Sequence, residues 1–136
     1  MTSDDQKALN FLIAWLGNNH QILYSYYRPD MNDPQDVQEF NQELANIQKP
    51  ESWGMFGPRP PVEDDEFKDG AIGYYGQGDT PNQYLEPTKV IPTKKVKLMR
   101  YFYLKDEMTD LGFHFLEMKD GSYLVGHLTD NFYEDD

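Results

Sequence analysis

Hydrophobic positions near the start of the chain recur at helical spacing. The apolar side chains between residues 8 and 16 cover more than one face of a helix, which is typical of a helix packed deeply in a core. Ser3, followed three residues later by Gln6, matches a capping box, and Gly17 can end the helix. The pattern therefore predicts a buried first helix over residues 3–17.

A second helical pattern follows an ambiguous aromatic segment. The segment HQILYSYYRP, residues 20–29, favours either a strand or more helix, since periodicity does not decide over so few positions. Asp33 before Pro34 marks a helix start, and the apolar positions after it recur at three- and four-residue steps. These positions are Val37, Phe40, Leu44 and Ile47. We expect a helical part over residues 3–48, ending before Pro50.

The middle of the chain is rich in proline and glycine. Residues 49–92 hold most of both residue types, a composition that interrupts regular structure. The segment also contains several aromatic residues, so we expect an irregular insert that packs against the body of the domain. Disorder over residues 63–78 is the alternative.

From residue 94 onward the hydrophobic period changes to two. The alternation predicts three strands in an antiparallel meander. They are placed at residues 96–104, 111–118 and 123–128. The sequence thus predicts one α+β domain over residues 1–136, with two N-terminal helices, the insert, a three-stranded meander over residues 94–130 and an acidic tail at 131–136.

The Asp-Gly pair at residues 120–121 predicts the register of the last hairpin. A two-residue type I′ turn there places His114 directly opposite His127. The pairs predicted for this hairpin are Met118–Tyr123, Leu116–Val125 and His114–His127. Closing the preceding connection around residues 106–109 pairs Tyr101 with His114, Phe102 with Phe113 and Leu104 with Leu111. A slip of one residue would exchange the two faces of the strand.

The predicted sheet has two unlike faces. One is apolar, and we assign it to the core beneath the helices. Its predicted members are Val96, Leu98, Phe102, Leu104, Phe113, Phe115, Leu124 and Leu128. The other mixes aromatic, apolar and polar side chains, as in a binding surface or a sheet covered by a loop. The candidate ligand or partner residues on it are Tyr101, Tyr103, His114, Tyr123 and His127, and its other predicted members are Lys97, Met99, Leu116, Met118 and Val125.

The two histidines suggest three kinds of chemistry. Two imidazoles could bind a metal, but a zinc site normally needs three or four ligands, and no Asp, Glu or Cys is predicted on this face. No metal site or cofactor is therefore predicted. A second possibility is that the pair senses pH, because two neighbouring imidazolium rings repel each other. A third is that both histidines are structural and form hydrogen bonds with Tyr101 or the backbone.

The net charge of the chain indicates which classes of partner are favoured. The chain carries 24 acidic and 12 basic residues, a net charge of −12 at pH 7, which disfavours nucleic acid and anionic membranes and favours a basic protein surface. The residues predicted to steer such a partner are Glu63, Asp64, Asp65 and Glu66, with further acids at Asp4/Asp5, at Asp30/Asp33/Asp36 and at residues 134–136. Solubility alone is the alternative role. The acidic N-terminus and the absence of a long apolar run favour a cytoplasmic protein.

Familiar catalytic motifs are missing from the sequence. It contains no phosphate-binding loop, His-Glu-x-x-His or Gly-x-Ser-x-Gly motif, which favours a non-catalytic interaction protein over an enzyme. We expect an inhibitor or immunity-type factor directed at a basic partner, with mimicry of DNA phosphates as its most specific form. The alternative is a small-molecule-binding protein or enzyme that uses Tyr101, His114 and His127. The sequence leaves the oligomeric state open.

Overall fold

Three α-helices form the N-terminal part of the protein, in a computed structural model that describes residues 1–61, 72–74, 76–77, 89–91, 93–105 and 111–125. The helices are α1 (Ser3–Gly17), α2 (His20–Tyr27) and α3 (Pro34–Ile47). The ambiguous aromatic segment forms α2. The prediction of two N-terminal helices was therefore one helix short.

The helix starts follow capping chemistry. Thr2, and not Ser3 as predicted, is the N-cap of α1: its hydroxyl accepts from the Asp5 N–H at 3.2 Å, and the Asp5 carboxylate accepts from the Thr2 N–H at 3.0 Å. The end of α1 at Gly17 is confirmed. The start of α3 is also confirmed, since the Asp33 carboxylate accepts a backbone N–H of the first turn at 3.0 Å.

An antiparallel sheet provides the β part of the α+β fold. The strands are β1 (Trp53–Arg59), β2 (Ile72–Tyr74), β3 (Gly76–Gln77), β4 (Lys89–Ile91), β5 (Val96–Leu104), β6 (Gly112–Met118) and β7 (Tyr123–Val125). The main sheet has the order β1-β5-β6-β7-β3, and β2 pairs separately with β4. Single 3₁₀ turns lie at Pro50–Ser52 and Thr93–Lys95. The antiparallel α+β class is confirmed, but the sheet extends beyond three strands because β1 lies in the segment predicted to be irregular.

The register between β5 and β6 is the predicted one. The observed pairs include Tyr101–His114 and Phe102–Phe113. The Leu104 N–H also donates to the Leu111 carbonyl at 3.0 Å. The predicted closure at 106–109 lies outside the described residues.

The register between β6 and β7 differs from the prediction by one residue. The observed pairs are Phe115–Val125, Leu116–Leu124 and Glu117–Tyr123. The predicted pairs Leu116–Val125 and Met118–Tyr123 were therefore wrong. The His114–His127 pair was counted from the same turn, and His127 lies outside the described residues.

The turn explains this shift. The Gly121 N–H donates to the Met118 carbonyl at 3.0 Å, and the Met118 N–H donates to the Ser122 carbonyl at 2.8 Å, which closes a loop of residues 119–121. Gly121 has a φ of 90°, which glycine adopts without steric cost. The Asp120 carboxylate accepts from the Ser122 N–H at 2.9 Å and from its hydroxyl at 2.6 Å. These side-chain bonds favour the longer turn over the two-residue turn.

The shift exchanges the two faces of β7. The Tyr123 ring lies 5.0 Å from the Phe115 ring, on the helix side of the sheet. Val125 is fully buried in the same core cluster. Leu124 therefore points to the opposite face, and the assignments of Leu124 to the core and of Tyr123 and Val125 to the other face were wrong.

The core lies between the helices and one face of the sheet. Its buried members are Ala8, Leu9, Leu12, Trp15, Leu16, Ile22, Leu23, Phe40, Ile47, Trp53, Phe102, Leu104, Leu111, Phe113, Phe115 and Val125. The core positions of Phe102, Leu104, Phe113 and Phe115 are thus confirmed. Val96 is buried outside this cluster and Leu98 is only partly buried, while Leu128 lies outside the described residues. The Trp53 indole N–H donates to the Ile47 carbonyl at 2.8 Å, which joins β1 to the end of α3.

A buried ion cluster, Asp5–Arg100–Glu117, connects α1 to the sheet. Arg100 Nε donates to Asp5 Oδ1 at 2.9 Å, and Arg100 Nη1 donates to Glu117 Oε1 at 2.8 Å. Arg100 and Asp5 are each 3% exposed. Burial alone would raise the pKa of Asp5, but hydrogen bonds from Thr2 and Arg100 hold that pKa below its ordinary value. Asp5 is therefore a structural carboxylate, which removes it from the acids proposed to steer a partner.

Replacing Arg100 with Met should destabilise the protein by about 3 kcal/mol or more, because the buried Asp5 would lose its charged partner and the partly buried Glu117 would keep only Lys97. Lys97→Met is the matched control: the Lys97 side chain is 60% exposed and its Nζ lies 3.6 Å from Glu117. That control should lose less than about 1 kcal/mol. Urea denaturation of both variants measures the difference, and equal losses would contradict a structural role for the buried cluster.

Asp5 should also make stability depend on pH in the acid range. Its folded pKa lies below the ordinary value of 3.8, so its contribution is complete above about pH 5 and is lost as pH falls through the folded pKa. Asp5→Asn should flatten this part of the stability curve, as measured by denaturant unfolding between about pH 2 and pH 6. An unchanged acid slope would show that other carboxylates produce it.

Candidate functional site

Three aromatic rings form a stacked cluster on the sheet face that points away from the helices. We call Phe56, Tyr101 and Tyr103 the aromatic ladder. The Phe56 ring lies 5.0 Å from the Tyr103 ring at 29° and 6.1 Å from the Tyr101 ring at 26°. The two tyrosine rings are 6.3 Å apart at 23°. Because the rings are nearly parallel, they present one continuous aromatic surface across β1 and β5.

Two glycines make room for the tyrosine rings. The Tyr103 ring lies against Gly54 of β1, and the Tyr101 ring lies against Gly112 of β6. A Cβ at either glycine would overlap the ring. The rings therefore lean over the neighbouring strands, an arrangement that requires glycine at these strand positions.

The ladder has an exposed end at Phe56. Phe56 is 64% exposed, more than any other large hydrophobic residue in the described part of the chain. Tyr101 and Tyr103 beneath it are partly buried. An aromatic ring held in place by two strands and left in water is a feature typical of binding surfaces.

His114 adjoins the aromatic ladder beside Tyr101, and unlike Phe56 it is buried. The His114 ring lies 4.9 Å from the Tyr101 ring, and His114 is 2% exposed. The neighbouring side chains on this face are also buried within the chain: Met99, Leu116, Met118 and Leu124. A partner can therefore reach this face at Phe56 more readily than at His114.

The structure brings together part of the predicted site. Tyr101, Tyr103 and His114 share one face, as predicted, whereas Tyr123 lies on the opposite face. His127 and the acidic residues 63–66 lie outside the described residues, so their predicted roles stay predictions.

Sequence reasoning missed Phe56. The segment Trp53-Gly54-Met55-Phe56 alternates between the core face and the ladder face, which is a period-two signal. The glycines and prolines around it led to the prediction of an irregular insert. The alternation in this segment was the available signal for β1.

The acids before and within α3 lie at the surface and support the local fold. Asp30 and Asp33 are exposed, and Asp36 is partly buried. The Asp36 carboxylate accepts from the Asp30 N–H at 2.8 Å, and Asp33 caps α3. These carboxylates therefore combine a structural role with a contribution to the acidic field of the protein.

Two other kinds of functional element have a recognisable geometry: a cluster of metal ligands and a membrane-spanning helix. Within residues 1–61, 72–74, 76–77, 89–91, 93–105 and 111–125, no group of three or more His, Asp or Glu side chains is arranged to hold a metal ion. No helix in these ranges is long and apolar enough to cross a membrane. Comparisons found no family model, curated protein or solved structure that matches the chain. Function is therefore inferred from the geometry of the chain itself.

Gly54→Ala should disrupt the aromatic ladder and destabilise the protein by about 1–3 kcal/mol, because the added methyl group would displace the Tyr103 ring. Gly17→Ala is the control, since no heavy atom lies within 4 Å of a Cβ at this end of α1. It should be neutral or slightly stabilising, as alanine favours the helix. Urea denaturation measures stability, and near-UV circular dichroism reports the tyrosine environment. An unchanged tyrosine signal in Gly54→Ala would show that the ring contact is unimportant.

Proposed function

We propose that the protein is a non-catalytic interaction protein that binds a basic partner surface through the aromatic ladder. The observation that carries the proposal is Phe56, a residue that is 64% exposed although its ring stacks on two tyrosine rings. A ring already fixed in place loses little conformational freedom on binding. Removing its face from water then contributes directly to affinity, as at the aromatic anchors of protein interfaces.

The charge of the protein indicates the kind of partner. A net charge of −12 attracts a basic surface and accelerates the encounter with it. Part of this charge lies along α3, where Asp36, Glu39 and Glu43 follow helical spacing on one side of the helix. In this proposal the carboxylates steer the partner and the aromatic ladder anchors it.

The same combination suits an inhibitor or immunity-type factor. A small acidic protein with one aromatic anchor can cover the basic functional surface of its partner and block access to it. Where that partner binds nucleic acid, the carboxylates would take the place of phosphates. In this form of the proposal, the protein acts by blocking access to the functional surface of its partner.

The second candidate is a small-molecule site beside His114. It is favoured by the 4.9 Å separation of the His114 and Tyr101 rings, since histidine and tyrosine can exchange protons with a bound ligand. A ligand would have to reach a histidine that is 2% exposed. The exposed ring of Phe56 makes the protein-partner proposal the stronger of the two.

Phe56→Ala should reduce capture of the partner from an extract of the source cells by roughly tenfold or more, as expected for loss of a central aromatic anchor. Met31→Ala is the matched control because Met31 is 56% exposed and lies outside the ladder. Quantitative mass spectrometry of the captured proteins over a salt series provides the measurement, and raised salt should release the partner. Capture that survives Phe56→Ala but is lost in His114→Gln would favour the site beside His114 instead.

A further inference from the structure

The outer side of β1 is an open sheet edge in the described part of the structure. There β1 pairs with β5 alone and ends the strand order. Along this edge Trp53 is buried, Gly54 and Met55 are half-buried and residues 56–59 are exposed, with an irregular register between Phe56 and Arg59. An exposed edge offers backbone N–H and C=O groups with which another extended segment can pair.

The direction of the hydrogen bonds along β1 follows from one contact. The Ser52 carbonyl accepts from the Lys105 N–H at 2.9 Å, which fixes Ser52 as a residue that bonds toward β5. In an antiparallel ladder, residues two apart bond toward the same neighbour. Gly54 and Phe56 therefore bond toward β5, opposite Tyr103 and Tyr101.

The intervening residues direct their backbone groups to the open edge. The Trp53 N–H agrees with this assignment, because it donates to the Pro50 carbonyl within the preceding 3₁₀ turn and not to β5. The Trp53 C=O and the Met55 N–H and C=O thus point away from the sheet. Pro58 lacks an N–H, which limits the pairing edge to a short stretch before it.

A strand added at this edge would extend the surface of the aromatic ladder. Alternate side chains of the added strand would lie on the same face as Phe56, at cross-strand contact distance. An arginine in such a position can stack its planar guanidinium on the Phe56 ring. Backbone pairing and side-chain stacking would then act on the same bound segment.

The net charge of the whole protein, and not the charges on β1 itself, indicates the occupant of this edge. A second copy of the chain would bring another net charge of −12, which repels the first, whereas an arginine-bearing segment is attracted. We propose that the edge of β1 takes an extended, arginine-bearing segment of the partner as an added strand, with an arginine stacked on Phe56. This inference rests on the proposed function, because it specifies how the partner binds.

The test uses a capped decapeptide of alternating arginine and threonine, titrated by calorimetry at low salt. One derivative is N-methylated at the arginine amides and another at the threonine amides. Only one of these two sets of N–H groups can face β1, so one derivative should bind at least tenfold more weakly and the other about as well as the parent peptide. Equal affinities of the two derivatives would overturn the inference. A peptide with glutamate in place of arginine should not bind.

The protein side of the pairing is tested at Met55. Met55→Pro removes the outward N–H and should weaken peptide binding at least tenfold, whereas Met55→Ala loses the same side chain but keeps the N–H and should bind within about threefold of wild type. Hydrogen exchange of the Met55 amide in the wild-type protein requires no variant. Its exchange should slow on peptide binding, and unchanged exchange would overturn strand addition even if Met55→Pro fails to fold.

The outcomes separate this inference from the proposed function. Suppose that Phe56→Ala abolishes peptide binding while the two N-methylated peptides bind equally. Binding at the aromatic ladder is then supported, and the addition of a strand to β1 is overturned. If the decapeptide does not bind at low salt, the inference fails, whereas capture by Phe56→Ala still decides the proposed function. Concentration-dependent dimerisation that protects the Met55 amide would assign the edge to a second copy and overturn the proposed occupant.

Discussion

The position of the helices over the sheet depends on the Arg100 guanidinium. Packing of apolar side chains is strong but has little directional preference, so the core alone leaves room for small rotations and slips. The bonds from Arg100 to Asp5 and Glu117 are directional and join α1, β5 and β6 at one point. A shift of β5 by one residue would turn Arg100 to the other face of the sheet, and Asp5 and Glu117 would lose their bonds to its guanidinium.

That constraint extends to the aromatic ladder. Because side chains alternate along a strand, fixing Arg100 and Phe102 on the helix side places Tyr101 and Tyr103 on the opposite side. The pairing of β1 with β5 then brings Phe56 over the two tyrosine rings. The register of β5 with its neighbouring strands therefore determines both which side chains enter the core and which form the candidate binding surface.

The sequence predicted the elements whose local signals agree with their packing. In α3 the cap at Asp33 and the apolar stripe indicate the same start, and in β5 the alternation over residues 100–104 agrees with the pairing to β6. The failures come from competing local preferences. The Asp-Gly pair favours a two-residue turn, but the bonds of Ser122 to Asp120 favour the longer one. The eight residues of α2 were too few to show a period, and their helix is fixed by the burial of Ile22 and Leu23 in the core. The candidate site was predictable where it lies on β5 and β6, and was missed where the glycine content of β1 concealed a strand.

Gly54 and Gly112 constrain Tyr103 and Tyr101 of the ladder but not Phe56. The two tyrosine rings occupy the space that side chains would need at these glycines, so the four residues form a unit in which a change at one position requires a change at another. Phe56 lies on top of this unit with most of its surface in water. A new side chain at position 56 would therefore change the exposed surface of the ladder while the strand packing beneath it stays the same. If the proposed partner binds there, its identity can vary through Phe56 alone, with Gly54 and Gly112 unchanged.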